Sequence, residues 1–110
     1  MTTTETPVLD TLIDITTVAV QHNTTLTPRE LMLVRIAALI AVDAPPVSYL
    51  ANAQIAEESG ITADDFQAVM IGLAPVVGTP RIVSASGNVL RALGIAIAVA
   101  DSELAADADQ

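Results

Sequence analysis

Signals that start and stop helices recur along this chain, and between them nothing alternates with period two for long enough to make a strand. The strongest is Thr27-Pro28-Arg29-Glu30. Thr27 is an N-cap, Pro28 sits in the first turn where its missing N–H is no loss, and Glu30 closes a capping box. Asp43-Ala44-Pro45-Pro46 ends a helix, because the residue before a proline disfavours helical backbone. Gly60 is placed as a left-handed C-cap, and Gly78-Thr79-Pro80 repeats the stop-and-start. A chain punctuated this way is confined to helices joined by short connections.

Five segments lie between these signals. Val8 to Gln21, entered through Pro7, is amphipathic, with Asp10, Asp14, Thr17 and Gln21 as its polar stripe. Pro28 to about Val42 is apolar nearly all round after Glu30, which predicts burial on most faces. A third helix is expected from about Pro46 to Ser59. The fourth starts at Thr62-Ala63-Asp64-Asp65, with acids where the helix dipole favours them. It carries one apolar face of Phe66, Val69, Met70, Leu73 and Val77, and Pro75 is expected to kink or end it. The last runs from Pro80 to about Ala100, with Ala92, Ala96 and Ala100 four apart. The fold class is all-α, a bundle of about five helices. Residues 1–6 read as a flexible tail, 7–102 as one helical domain, and 103–110 as an acidic, disordered tail.

Composition says how such helices pack. Apolar residues make up 52% of the chain but aromatics only 2%, namely Tyr49 and Phe66. The core is therefore built from Ala, Val, Ile and Leu, whose small or branched side chains let helices approach closely. One small core cannot hide this much apolar side chain, and monomers seldom expose large apolar patches. A membrane span needs about 18–20 uninterrupted apolar residues. The longest runs, Ile36–Val42 and Ile95–Ala100, fall short. Association with copies of itself is the expected outlet.

The net charge of −9 comes from 13 acids against four arginines, with no lysine. That balance argues against nucleic acid and against anionic lipid as partners. Without lysine there is no side-chain Schiff base. Without cysteine there is no disulfide, thiol catalysis, cysteine-held zinc or iron–sulfur cluster. The pairs Glu57-Glu58 and Asp64-Asp65 do not suit a metal, since helical neighbours point about 100° apart. No motif asks for a cofactor. No secretory signal pattern is visible, so the cytoplasm is the expected compartment.

The order of signals carries a resemblance. Leu26-Thr27-Pro28-Arg29-Glu30 opens an apolar helix, and Glu57-Glu58-Ser59-Gly60-Ile61-Thr62 closes the next. An acid-capped helix follows, then Gly78-Thr79-Pro80 before a long final one. From about Leu26 to Gly94 the chain resembles the carboxymuconolactone decarboxylase family, which includes the alkylhydroperoxidase D-like proteins. The resemblance implies an all-helical fold assembled as trimers or hexamers. It also implies a place for chemistry. Redox members use Cys-x-x-Cys, a histidine four residues after the second cysteine, and a glutamate twelve before the first. Counted back from Gly60, those positions hold Pro45, Ser48, Asn52 and Leu33. The lactone decarboxylases use a histidine near this helix, whereas the one histidine here, His22, precedes the matched region. His22 is placed near the C-terminus of the first helix, where positive charge is favoured.

Other residues remain candidates. Ser48, Tyr49 and Asn52 share a helix face and form a candidate pocket for a small polar ligand, or else pack against neighbouring backbone. Ser48 has no histidine base, so it is not read as a nucleophile. Arg35, hemmed by Leu31, Met32, Ala38 and Leu39, reads as a structural buried charge. It needs an acid such as Asp10, Asp14 or Asp43, a row of carbonyls, or an anion. Arg81 is placed in a helix first turn, where a carboxylate ligand or plain solvation would suit it. Asn88, near Ser84 and Gly87, marks a polar notch or an interhelical bond.

Two functions follow from these readings. One is a non-redox homo-oligomer that binds a small, partly apolar molecule or serves in assembly. The rival is a decarboxylase or isomerase acting on a small carboxylate or lactone, with Arg81 or Arg35 holding the anion. The rival requires an open cavity at Ser48–Asn52 with an arginine head group inside. A purely structural oligomer would show a closed helix interface there.

Overall fold

A computed structural model describes the backbone of residues 7–108 and the side chains of residues 7–95 and Asp101. The described chain forms five helices and no strand: α1 Pro7–Gln21, α2 Pro28–Ala41, α3 Pro46–Glu58, α4 Ala63–Val77 and α5 Thr79–Ala108. The expected tail at residues 1–6 lies outside the described residues.

The capping box read at Thr27 closes reciprocally. Thr27 Oγ1 accepts from the Glu30 N–H at 3.1 Å, and Glu30 Oε1 accepts from the Thr27 N–H at 2.8 Å. Thr62 and Asp65 repeat this at α4, at 3.2 and 2.9 Å. Each box satisfies two backbone donors that a helix start leaves without partners.

The exits of α2 and α3 share one design. At the end of α3, Gly60 has φ +78°, the Ile61 N–H donates to Ala56 O, and the Gly60 N–H donates to Glu57 O, both at 3.0 Å. This is a Schellman motif, and its Ile61 and Ala56 both pack against the cluster of Val20, Met32 and Ile55. At the end of α2 the left-handed residue is Asp43, φ +55°. The Ala44 N–H reaches Leu39 O at 3.0 Å and the Asp43 N–H reaches Ile40 O at 3.2 Å. The left-handed region is costly for a residue with a Cβ, though less so for aspartate. Two bonds from α5 hold this turn: Ser84 Oγ donates to Asp43 Oδ1 at 2.6 Å, and Asn88 Nδ2 donates to Ala44 O at 3.0 Å.

Helix α2 runs through the middle. Met32 meets Val20 of α1 and Ile55 of α3 in one cluster. One and two turns further along, Ile36 and Ile40 meet Ala85 of α5 and the α4 face of Phe66, Val69, Met70, Leu73 and Val77. That face is the one read from the sequence. A third cluster joins Ala44, Tyr49 and Ala92. Tyr49 and Phe66 touch edge to face, centroids 6.3 Å apart.

Three expectations need adjustment. Only Met32, Ile36 and Ile40 of α2 are buried, and Val34 stays 57% exposed, so α2 is not covered on most faces within one chain. Of the two effects expected of Pro75, a kink or a stop, the stop is set aside, since α4 continues to Val77. A proline near a C-terminus forfeits one bond while the preceding turns hold. Helix α5 runs to Ala108, past the end read near Ala100 and through most of the segment expected to be disordered. Ala, Leu and Glu are strong helix formers there, and no Gly or Pro interrupts them.

The result is long rather than round, 51 × 33 × 23 Å with a radius of gyration of 15.0 Å. A compact chain of this length would have about 13 Å. The accessible surface is 7013 Å², against roughly 5,700 Å² for a compact monomer of this mass. Large apolar side chains contribute to that exposed surface. Val83 and Leu90 stand out from α5, Ile71 and Val76 from α4, and Val8, Leu12 and Ile15 from α1, with Leu12 least exposed. Among the described residues no helix is long and apolar enough to cross a membrane.

Candidate functional site

A cleft of about 460 Å³ opens where α3, α4 and α5 meet over α2. Ile36 and Leu39 of α2 lie in its wall, with Phe66 of α4 and Val89 and Ala92 of α5 around it. Helix α3 brings Tyr49, Leu50, Asn52, Ala53 and Ala56, which follow each other at helical spacings along one side. Ala53, Ala63 and Leu93 line the cleft and are also exposed, so they mark its rim. Small side chains leave the space: Ala53, Ala56, Ala63 and Ala92 stand where bulkier groups would close it.

The cleft has two polar side chains, Tyr49 and Asn52. Tyr49 is 9% exposed, and its hydroxyl is buried without a hydrogen-bond partner among the described residues. Burial, and then the negative charge of Asp43, push its pKa up. At neutral pH it is a protonated phenol, able to donate a hydrogen bond and unsuited to act as a base. Because the hydroxyl has almost no accessible surface, Tyr49 offers the cleft its ring. Asn52 is already engaged: its Oδ1 accepts from Arg35 Nη1 at 3.1 Å, and its Nδ2 donates to Ser48 O at 2.8 Å.

Arg35 therefore has a different partner set from the expected one. Its Nη1 donates to Thr16 O of α1 at 3.0 Å and to Asn52, and among the described residues no carboxylate pairs with it. Burial lowers its pKa. It ties α1, α2 and α3 together and does not line the cleft. Of the row of carbonyls that the sequence allowed, one is present, and a side-chain amide supplies the other acceptor.

The remaining sequence candidates do not converge on the cleft. Ser48 is half-buried one turn before Asn52 and gives its carbonyl to Asn52, but its side chain is not in the lining. Arg81 is exposed near the start of α5 and is also outside the lining. Asn88 donates to Ala44 O and accepts from Arg91 Nη1 at 2.9 Å, so it serves as an interhelical bond. His22 is exposed immediately after α1. Among the described residues no three His, Cys, Asp or Glu side chains gather to hold a metal.

One charged contact escapes a reading of the sequence. Arg29 Nη2 and Nη1 donate to Asp65 Oδ1 and Oδ2 at 2.7 and 2.9 Å, and Nη1 also reaches Gly60 O at 2.9 Å. Asp65 is held well below the usual carboxylate range, first by Arg29 and then by the Thr62 N–H. The pair spans 36 residues, so no local spacing announces it. It staples α2 to the α3–α4 turn, beside the rim residue Ala63.

The model of the carboxymuconolactone decarboxylase family covers residues 7–92, so the match begins well before Leu26 and, against the sequence reading, His22 lies inside it. The chain belongs to that family. No match is found among curated proteins or among solved structures. Within the family frame, Pro45, Ser48 and Asn52 occupy the first two turns of α3 and its entry, and Asn52 alone of the three reaches the cleft. A member of this family without cysteine has no thiol to place there.

Proposed function

We propose that this chain is a homo-oligomeric member of the carboxymuconolactone decarboxylase family, without thiol redox activity, whose cleft binds a small, largely apolar molecule. The observation that carries the reading is the cleft itself: about 460 Å³ of space walled by aliphatic and aromatic groups, with no ionised or nucleophilic side chain in its lining. Ligand sites are of this size and character. Catalysis by proton transfer needs a group that titrates near the working pH and reaches the substrate. Tyr49 is shifted away from that range. The carboxylate-processing alternative loses its support too, since neither Arg81 nor Arg35 lines the space.

Assembly is supported by the surface. The excess over a compact monomer is roughly 1,300 Å², while a standard interface removes about 800 Å² from each partner. Val83, Gly87 and Leu90 follow at helical spacing on one stripe of α5. Val83 is 65% and Leu90 68% exposed.

Titration with the uncharged fluorophore N-phenyl-1-naphthylamine tests the cleft. The expected result is saturable enhancement with one site per chain, lost in Ala53→Trp, which fills the rim from an exposed position while leaving helicity unchanged. Enhancement that persists in Ala53→Trp would place binding elsewhere and reject the reading.

A further inference from the structure

We infer that the cleft selects an uncharged ligand and turns away the matching carboxylate; this rests on the binding reading above and adds the ligand's class. The chain has four arginines and no lysine. Each arginine is placed outside the lining. Arg29 is bonded to Asp65 and Gly60 O, Arg35 to Thr16 O and Asn52, and Arg91 to Asn88. Arg81 is exposed near the start of α5.

The polar groups that do line the cleft cannot replace a cation. The oxygen of Asn52 is occupied by Arg35 and its amide nitrogen already donates to Ser48 O. Tyr49 presents its ring, its hydroxyl being enclosed. A carboxylate entering this space would shed its water and meet no counter-charge and at most the second N–H of Asn52, which is among the costliest transfers a binding site can impose. The net charge of −9 adds a long-range repulsion of anions. A neutral ester, amide or hydrocarbon of similar shape meets no such cost.

Displacement of N-phenyl-1-naphthylamine by three naphthalenes of similar shape, the amide and carboxylate isosteric, tests this: methyl 2-naphthoate, 2-naphthamide and 2-naphthoate at pH 7.5. The ester and the amide are each expected to displace the probe at concentrations at least 30-fold below the carboxylate. The amide separates charge from mere oiliness, because it is polar yet uncharged. Leu93→Arg places a cation at the exposed rim and is expected to tighten 2-naphthoate at least tenfold while leaving the amide within twofold. Wild-type protein that binds 2-naphthoate as tightly as the amide overturns the inference while the binding reading stands. Failure of the probe itself to bind removes the binding reading, and the inference with it.

Discussion

Replacing Arg35 with methionine tests how the one half-buried guanidinium is satisfied. Methionine keeps an unbranched stem for packing and removes the charge. The substitution deletes two hydrogen bonds, to Thr16 O at 3.0 Å and to Asn52 Oδ1 at 3.1 Å. For a partly exposed group, a hydrogen bond from a charged donor is taken at the low end of its range, about 1.5 kcal/mol net, so about 3 kcal/mol is lost for the pair. Relief of desolvation returns part of this, about 1–2 kcal/mol, because the guanidinium no longer has to be buried. The balance is a loss of about 1–2 kcal/mol. In urea denaturation followed by helical circular dichroism, that shifts the midpoint down by about 1 M or less at an ordinary slope. A carboxylate hidden in the arrangement would give a different answer, since breaking a buried ion pair costs about 3–5 kcal/mol. A measured loss above about 3 kcal/mol would therefore refute this balance, as would no loss at all.

Three further outcomes follow from the same contacts. Ile40 has no exposed surface, so Ile40→Ala is expected to cost about 2–5 kcal/mol in chemical denaturation; a loss under about 1 kcal/mol would show that the α2 core is loosely packed. Asp65 and Glu30 are both held below the usual carboxylate range, by Arg29 and by the Thr27 backbone N–H respectively. Their contribution is present above about pH 4 and is lost as pH falls through the lowered folded values, because the unfolded chain takes up protons that the folded one refuses; Asp65→Asn should flatten the acid limb of a stability–pH curve, and an unchanged limb would count against the Arg29 staple. Leu90→Glu puts a carboxylate on the exposed α5 stripe and should raise the dissociation constant of the proposed assembly at least 100-fold, read by sedimentation velocity across a dilution series; unchanged mass at every dilution would remove Leu90 from any interface.

Much of this architecture is written locally. Capping boxes at Thr27 and Thr62 depend on residues three apart, and the α4 face depends on a period of 3.6, so both are visible in the chain. What depends on distant neighbours is not. Asp43 takes the left-handed place that glycine takes at Gly60, and nothing local marks it, because the bonds holding it come from Ser84 and Asn88 of α5. The Arg29–Asp65 pair is hidden for the same reason. The candidate site is half legible. Tyr49 and Asn52 are found at the cleft because α3 carries them on one face, but Arg81 and Asn88 stand out only by residue type, and type does not say which way a helix turns a side chain. The aliphatic and alanine walls of the cleft carry no signal at all, since a gap between helices looks in sequence like an ordinary core. The end of α5 is hard to read because its acidity suggests disorder, while the helix propensity of its alanines prevails.

A chain with this many exposed apolar side chains, on a family scaffold without cysteine, is proposed to complete itself with copies of its own kind. Light scattering on the purified protein at micromolar concentration measures that directly. The expected mass is a multiple of the 11.3 kDa chain. A single chain's mass across the whole concentration range would contradict the proposal.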